Sequence, residues 1–163
     1  MLAPNHISYL DPIILGVAVK RKVYSMAKEE LFKSGISRFF LIRLNAFPVK
    51  RRSIDRDVLK RSLQILGKGN VLNIFLEGTI PLHDKMKEGK PGVAWLALKR
   101  NVPVIPVRIT GSDELLPDGA VFPKMGRARI VFGHPIYFDF NNGKHKENIK
   151  IMTGKIIEEI GKL

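Results

Sequence analysis

Apolar and polar residues recur along this chain with two different periods, and the switches between them mark out its elements. Pro12 to Lys20 predicts a short helix and Lys22 to Ala27 a strand. Glu29 to Leu44 predicts a longer helix, with Leu31, Phe32, Phe39, Phe40 and Ile42 as its apolar positions. Ala46 to Val49 is a short strand. Ser53 is placed to cap a helix running to about Gly67, in which Ile54, Val58, Leu59, Leu63 and Leu66 fall near helical spacing. Gly67-Lys68-Gly69-Asn70 reads as a turn, and Val71 to Leu76 as a buried strand, apolar except at Asn73.

The second half repeats the alternation. Gly89 to Arg100 predicts a helix, and Val102 to Ile109 a strand-like run that Pro103 and Pro106 assign to an edge or an irregular stretch. Arg127 to Phe132 alternates basic and apolar residues as a half-exposed strand does. Glu147 to Ile160 closes the chain with an amphipathic helix built on Ile149, Met152, Ile156 and Ile160. Strands alternating with helices of this length predict an α/β fold, a mostly parallel central sheet flanked by helices. There is no internal repeat or linker, so the 163 residues form a single domain, 1–163.

Charge sharpens the picture. The chain carries 28 Lys+Arg against 15 Asp+Glu, a net +13, which implies an anionic partner: nucleic acid, a phospholipid surface, or a phosphorylated substrate or carrier. With no cysteine, disulfides and thiolate metal sites are excluded. No run of 18 apolar residues exists, so membrane contact is expected to be peripheral.

The candidate chemistry lies at the start, in Asn5-His6-Ile7-Ser8-Tyr9-Leu10-Asp11-Pro12. Imidazole can act as a base near neutral pH, and a carboxylate can fix its tautomer and stabilise the imidazolium. A spacing of five does not stack the two on one helix face. Asp11-Pro12 instead reads as a helix start, Asp at the cap and Pro at the first helical position, with His6 on the loop entering it. Taken alone, the pair fits a surface histidine and an N-cap aspartate better than a catalytic dyad.

Four blocks change that balance. They are Asn5-His6 with Ser8 and Asp11; Ala27-Lys28-Glu29-Glu30-Leu31 through Ala46-Phe47-Pro48-Val49-Lys50-Arg51; Phe75-Leu76-Glu77-Gly78-Thr79 with Lys90-Pro91-Gly92; and Val102-Pro103-Val104-Ile105-Pro106-Val107 with Gly111 and Phe132-Gly133-His134-Pro135-Ile136. In this order and spacing the chain resembles the glycerolipid acyltransferases, specifically the 1-acylglycerol-3-phosphate (lysophosphatidic acid) acyltransferase group. The resemblance implies a glycerol-3-phosphate acyltransferase-like fold and an O-acyltransferase of phospholipid biosynthesis. Its reaction would move a fatty acyl group from acyl-CoA or acyl carrier protein to the free hydroxyl of a lysophospholipid. In that reading His6 is the general base and Asp11 orients it. Arg51 and Lys50 bind the acceptor phosphate, and Glu77, Gly78 and Thr79 form a substrate-binding turn at a strand end. Val104, Ile105 and Pro106 line the acyl site, although plain sheet core is an equally good reading of them. No metal and no cofactor beyond the thioester donor is implied. The protein is expected at the cytoplasmic face of an anionic membrane, with Lys20-Arg21-Lys22 and Lys50-Arg51-Arg52 as basic clusters, and without a nucleic-acid partner.

Departures from the pattern qualify this. Ile80 stands where arginine usually follows the Glu-Gly-Thr block, which leaves the acceptor headgroup open. Asn45 replaces a common glycine, a mild exchange because Asn tolerates left-handed backbone, and Leu76 replaces a proline. Ahead of His6 stand Met1 to Asn5 alone, and Pro4 cannot donate to a sheet ladder. The expectation is a missing or truncated N-terminal segment, an exposed sheet edge and a weakened mounting for the base. Rival readings are an acyltransferase for another lysolipid, an inactive lipid-binding relic, and a basic nucleic-acid-binding module, which lacks any supporting motif. His83-Asp84, His134 and His145 have no ligand-like spacing for a metal hydrolase.

Overall fold

The computed structural model describes residues 1–50, 56–76, 89–117, 119–120, 122–138 and 145–163. Six strands form one sheet: β1 (Leu2–Pro4), β2 (Val23–Lys28), β3 (Ala46–Val49), β4 (Val71–Asn73), β5 (Ile105–Thr110) and β6 (Arg129–Phe132). Their order is β3-β2-β4-β1-β5-β6. Every neighbouring pair is parallel except β5 with β6, so the sheet is mixed but mostly parallel. The helices are α1 (Asp11–Ala18), α2 (Gly35–Arg43), α3 (Arg56–Gly67), α4 (Gly92–Arg100), the single turn α5 (Ser112–Leu115) and α6 (His145–Lys162). The α/β architecture expected from the alternation is the one observed.

The strand ahead of His6 is present, short and central. Leu2–Pro4 lies between β4 and β5, with Leu2 opposite both Asn73 and Ile105. Carbonyls do the pairing: Met1 accepts from Ile105 N (2.8 Å), Leu2 from Ile74 N (3.1 Å) and Pro4 from Leu76 N (3.4 Å). Pro4 ends the strand and has no N–H to leave unpaired, so it fits where a mid-strand proline would not. The expected sheet edge at this point is therefore corrected: the residues before His6 are held on both sides.

Pro106 gives a second correction. Val102 to Ile109 is not an edge, because β5 is an internal strand between β1 and β6. The Pro106 carbonyl accepts from Gly133 N at 2.9 Å. Gly133 also makes room for the proline ring, since a Cβ there would lie 2.8 Å from Pro106 Cγ.

Right-handed crossovers distribute the helices. The β1-α1-β2 and β2-α2-β3 connections move the same way along the sheet, which puts α1 and α2 on one face. The returns through α3 and α4 place those helices on the other face, where α6 joins them. There the larger core forms, with Phe47, Leu72, Leu96, Met152, Ile156 and Ile160 among its members. Each such side chain contributes about 1.5–3 kcal/mol of burial. Under α1 the core is smaller: Leu2, Leu15, Val23, Val107 and Ile109. Asn73 is fully buried; its Nδ2 donates to Ser25 Oγ (3.2 Å), while its Oδ1 has no partner.

The helix predicted over 29–44 is two pieces. A 3-10 turn covers Glu29–Phe32, Ser34 is extended (ψ 131), and α2 begins at Gly35. The Ser37 hydroxyl turns back onto the carbonyls of Leu31 and Ser34, which stabilises the break. No residue of α2 is buried. Phe39 and Phe40, expected to pack, are 53% and 60% exposed. Leu41 and Leu44, both half-buried, take the inward positions instead.

Candidate active site

His6 follows β1 and so projects from the end of the sheet where the parallel strands β1 to β5 finish. Ligands of open α/β sheets bind at that end. Asn5 anchors the loop to β5 through its side chain, as a further strand residue would: its Nδ2 donates to Ile109 O (2.8 Å) and its Oδ1 accepts from Ile109 N (2.7 Å). Ser8 to Asp11 then forms a tight turn, closed by Asp11 N donating to Ser8 O (3.2 Å), and α1 starts.

That turn brings the two candidate residues together. His6 Nδ1 lies 2.9 Å from Asp11 Oδ2, with the imidazole buried and the carboxylate wholly so. The same Oδ2 accepts from the backbone N–H of Ile7 (2.7 Å) and of Ser8 (2.9 Å). Asp11 Oδ1 accepts from Ser112 Oγ at 2.5 Å. A carboxylate without contact to water is tolerated only where donors replace the water, and all of these groups donate. With Asp11 as a carboxylate, which only accepts, the bonded tautomer is the one with its proton on Nδ1 and its lone pair on Nε2.

Asp11 does not cap its own helix as its position suggested. The N-cap residue of α1 is Leu10, with no side-chain cap bond, and the Asp11 carboxylate folds back over the preceding loop. Pro12 occupies the first turn, where its missing N–H costs nothing.

Two residues that complete the site carry no local signal of it. Phe75, beyond β4, stacks on the His6 ring with centroids 4.0 Å apart and planes inclined by 21°, fixing the plane of the imidazole. Ser112 lies 101 residues from its carboxylate partner and is fully buried. Gly111 delivers it: with φ 78 it turns the chain from β5 into α5, and a Cβ there would stand 2.6 Å from Arg127 O. A side chain at that position would clash with the backbone of Arg127 and strain the positive φ. The one available sequence cue was Gly111 itself, set just after the strand that ends beside the site.

The remaining candidates are placed as follows. Lys50 is exposed just beyond β3, at the same end of the sheet as His6 and three strand positions away, roughly 14 Å by strand spacing. Arg51, Arg52, Glu77, Gly78, Thr79 and Ile80, and with them the expected phosphate clamp and substrate turn, lie outside the described residues. Val104 is fully buried in the larger core and bridges Ile136 (N–H···O distances 3.0 and 2.7 Å). Pro106 is buried in β5, and Ile105 packs beside the smaller core on the opposite face. All three serve the sheet core. Lys20-Arg21-Lys22 lies at the other end of the sheet, where Arg21 donates to Gly69 O at 2.5 Å. Asn45 adopts the left-handed conformation allowed for it, with φ 54. Among the described residues no cluster of acidic or histidine side chains could hold a metal ion, and no helix is long and apolar enough to cross a membrane.

A histidine bonded to a buried carboxylate, at the carboxyl end of the parallel strands, is an arrangement chemically able to activate a hydroxyl. The acyltransferase family model matches residues 1–110, and the chain belongs to that family. It is 28% identical to the 1-acyl-sn-glycerol-3-phosphate acyltransferase of Bacillus subtilis, over all of this chain and 80% of that protein. The enzyme of the same name from Streptococcus pneumoniae is also 28% identical over the whole chain, which spans 60% of it. In three dimensions the chain resembles the crystal structure of the 1-acyl-sn-glycerophosphate (LPA) acyltransferase PlsC from Thermotoga maritima. The TM-score is 0.70 at 26% identity, covering 96% of this chain and 64% of that one.

Proposed function

We propose that the protein is an O-acyltransferase that moves a fatty acyl group from a thioester to the free hydroxyl of a lysophospholipid in phospholipid biosynthesis. The preferred acceptor is 1-acylglycerol-3-phosphate, and the donor is acyl-CoA or acyl carrier protein. One observation carries the reading: the 2.9 Å contact of His6 Nδ1 with a carboxylate that other donors hold rigid. The names of the relatives support the acceptor.

In this reaction His6 Nε2 takes the hydroxyl proton as the acceptor oxygen attacks the thioester carbonyl. The C–O bond forms, and the carbonyl becomes a tetrahedral oxyanion. Its collapse breaks the C–S bond, and the departing thiolate regains the proton from the imidazolium. The base ends neutral, no acyl-enzyme forms, and Asp11 stabilises the transient imidazolium throughout. Lys50 and Arg51 supply positive charge for the acceptor phosphate. A second reading of the acceptor rests on Ile80, whose position lacks the arginine expected of phosphate-monoester binders. Working on lipids, the protein acts peripherally at the cytoplasmic face of an anionic membrane.

The test is acyl transfer over a panel of lysolipids with both donors, wild type beside His6→Ala and Asp11→Asn. General-base catalysis is worth about 10²–10⁴-fold, so both variants are expected to lose at least about a hundredfold in kcat. Undiminished turnover by His6→Ala would refute the base. Wild-type protein that binds lysolipid and makes no product would identify a relic, and a gain on lysophosphatidate by Ile80→Arg would point to another natural headgroup.

A further inference from the structure

Helix α2 presents its apolar residues to solvent rather than to the protein. Ile36, Phe39, Phe40 and Ile42 are 76%, 53%, 60% and 56% exposed, and all project from the outer side of a nine-residue helix. Scattered exposed apolar residues need no explanation, but a contiguous group on one helix face marks an interaction surface. The rings of Phe39 and Phe40 meet edge to face at 5.7 Å. The Arg43 guanidinium stands 4.7 Å over the Phe39 ring, a cation resting on the apolar patch.

The charge around this face selects the partner. Lys33, Arg38 and Arg43 are all exposed, and from Leu31 to Lys50 the chain has no acidic residue; the exposed Glu29 and Glu30 lie before α2, in the 3-10 turn. A second copy of the same face would oppose cation to cation. An anionic lipid surface satisfies both features at once, accepting apolar side chains below its phosphates and cations among them. The 3-10 turn leading into α2 follows the end of β2, so the helix starts from the same end of the sheet as His6.

We infer that α2 is the element through which this domain enters an anionic membrane surface, with Ile36, Phe39, Phe40 and Ile42 inserted among the lipids. This deepens the acyl-transfer reading and rests on it for the benefit of holding the base near a lipid-borne hydroxyl. The insertion itself is measured without catalysis.

The experiment is flotation of the full chain with vesicles of phosphatidylcholine alone and of phosphatidylcholine with phosphatidylglycerol. Wild type is expected to float with the anionic vesicles and to be released by high salt. The double variant Phe39→Ser/Phe40→Ser is expected to lose roughly tenfold or more in partitioning, because two large apolar side chains no longer leave water. Arg38→Gln/Arg43→Gln should weaken binding to anionic vesicles selectively. Ile151→Ser, an equally exposed position on α6 across the sheet, should float like wild type. All three variants should keep wild-type melting temperatures and wild-type turnover on a short-chain, monomeric acceptor. Equal flotation of the Phe39/Phe40 variant and wild type would overturn the inference, as would a lipid-free dimer that this variant alone dissolves. Normal flotation with no turnover on any acceptor would instead sink the acyl-transfer reading and leave the docking face standing.

Discussion

The two faces of the sheet are built to different ends. Under α3, α4 and α6 the side chains interlock in one large core, and the outer surfaces of those helices are chiefly polar. Under α1 and α2 the core is a handful of residues, Ile13 and Val17 of α1 stand 42% and 84% exposed, and α2 has no fully buried residue. Yet the thinly covered face carries the elements that lead from His6 and Asp11 into the rest of the fold. Most of the buried apolar residues belong to one layer. The other layer leaves apolar side chains of both its helices exposed to solvent.

That contrast can be broken most strongly in the large core. Leu96→Ala, at a position 1% exposed, is expected to cost about 2–5 kcal/mol of unfolding free energy in a denaturant titration. Turnover per folded molecule should stay near wild type. A drop in activity without a drop in stability would mean that the layers are not separable. Ser112→Ala comes next. It removes a hydrogen bond to a buried carboxylate, a loss of about 1.5–3 kcal/mol, and is expected to lower kcat about tenfold or more with little change in KM. Ser112→Thr, which keeps the hydroxyl, should recover part of the rate; equal loss in both variants would assign the effect to packing instead. The smallest effect is expected at Asn73, whose buried Oδ1 is unpaired. Asn73→Leu should raise stability by about 1 kcal/mol, read as a higher Tm, since the uncompensated acceptor is gone. A lower Tm would show that the amide bond to Ser25 outweighs it.

Much of the fold was legible because its signals are local. The helix at Pro12, the strands at Lys22 and Ala46, the helix ending at Gly67 and the amphipathic helix from Glu147 all occur within a few residues of their expected bounds. The failures have specific causes. Leu31, Phe39 and Phe40 share helical spacing with true core positions, and periodicity alone does not say whether water or protein lies on the apolar side. Pro4 and Pro106 argue against a sheet interior by rule, but Pro4 stands at a strand end and Gly133 makes room for the Pro106 ring while donating to its carbonyl.

The candidate site divides along the same line. His6 and Asp11 were visible as residue types in the right neighbourhood, and the tight turn at Ser8 needs nothing beyond that segment to bring them together. Phe75 was visible only as part of a family block and Ser112 not at all, because their roles depend on which strands become neighbours. The sequence by itself determined the alternation of elements, the net basic charge and the pairing of His6 with Asp11, all consequences of short-range periodicity and side-chain chemistry. The tertiary structure alone decided that β1 lies between β4 and β5, which carries Phe75 and Ser112 to the dyad from opposite sides. It also decided which apolar helix face would be left to solvent, since that is settled by the area the sheet has left to cover and not by the helix itself.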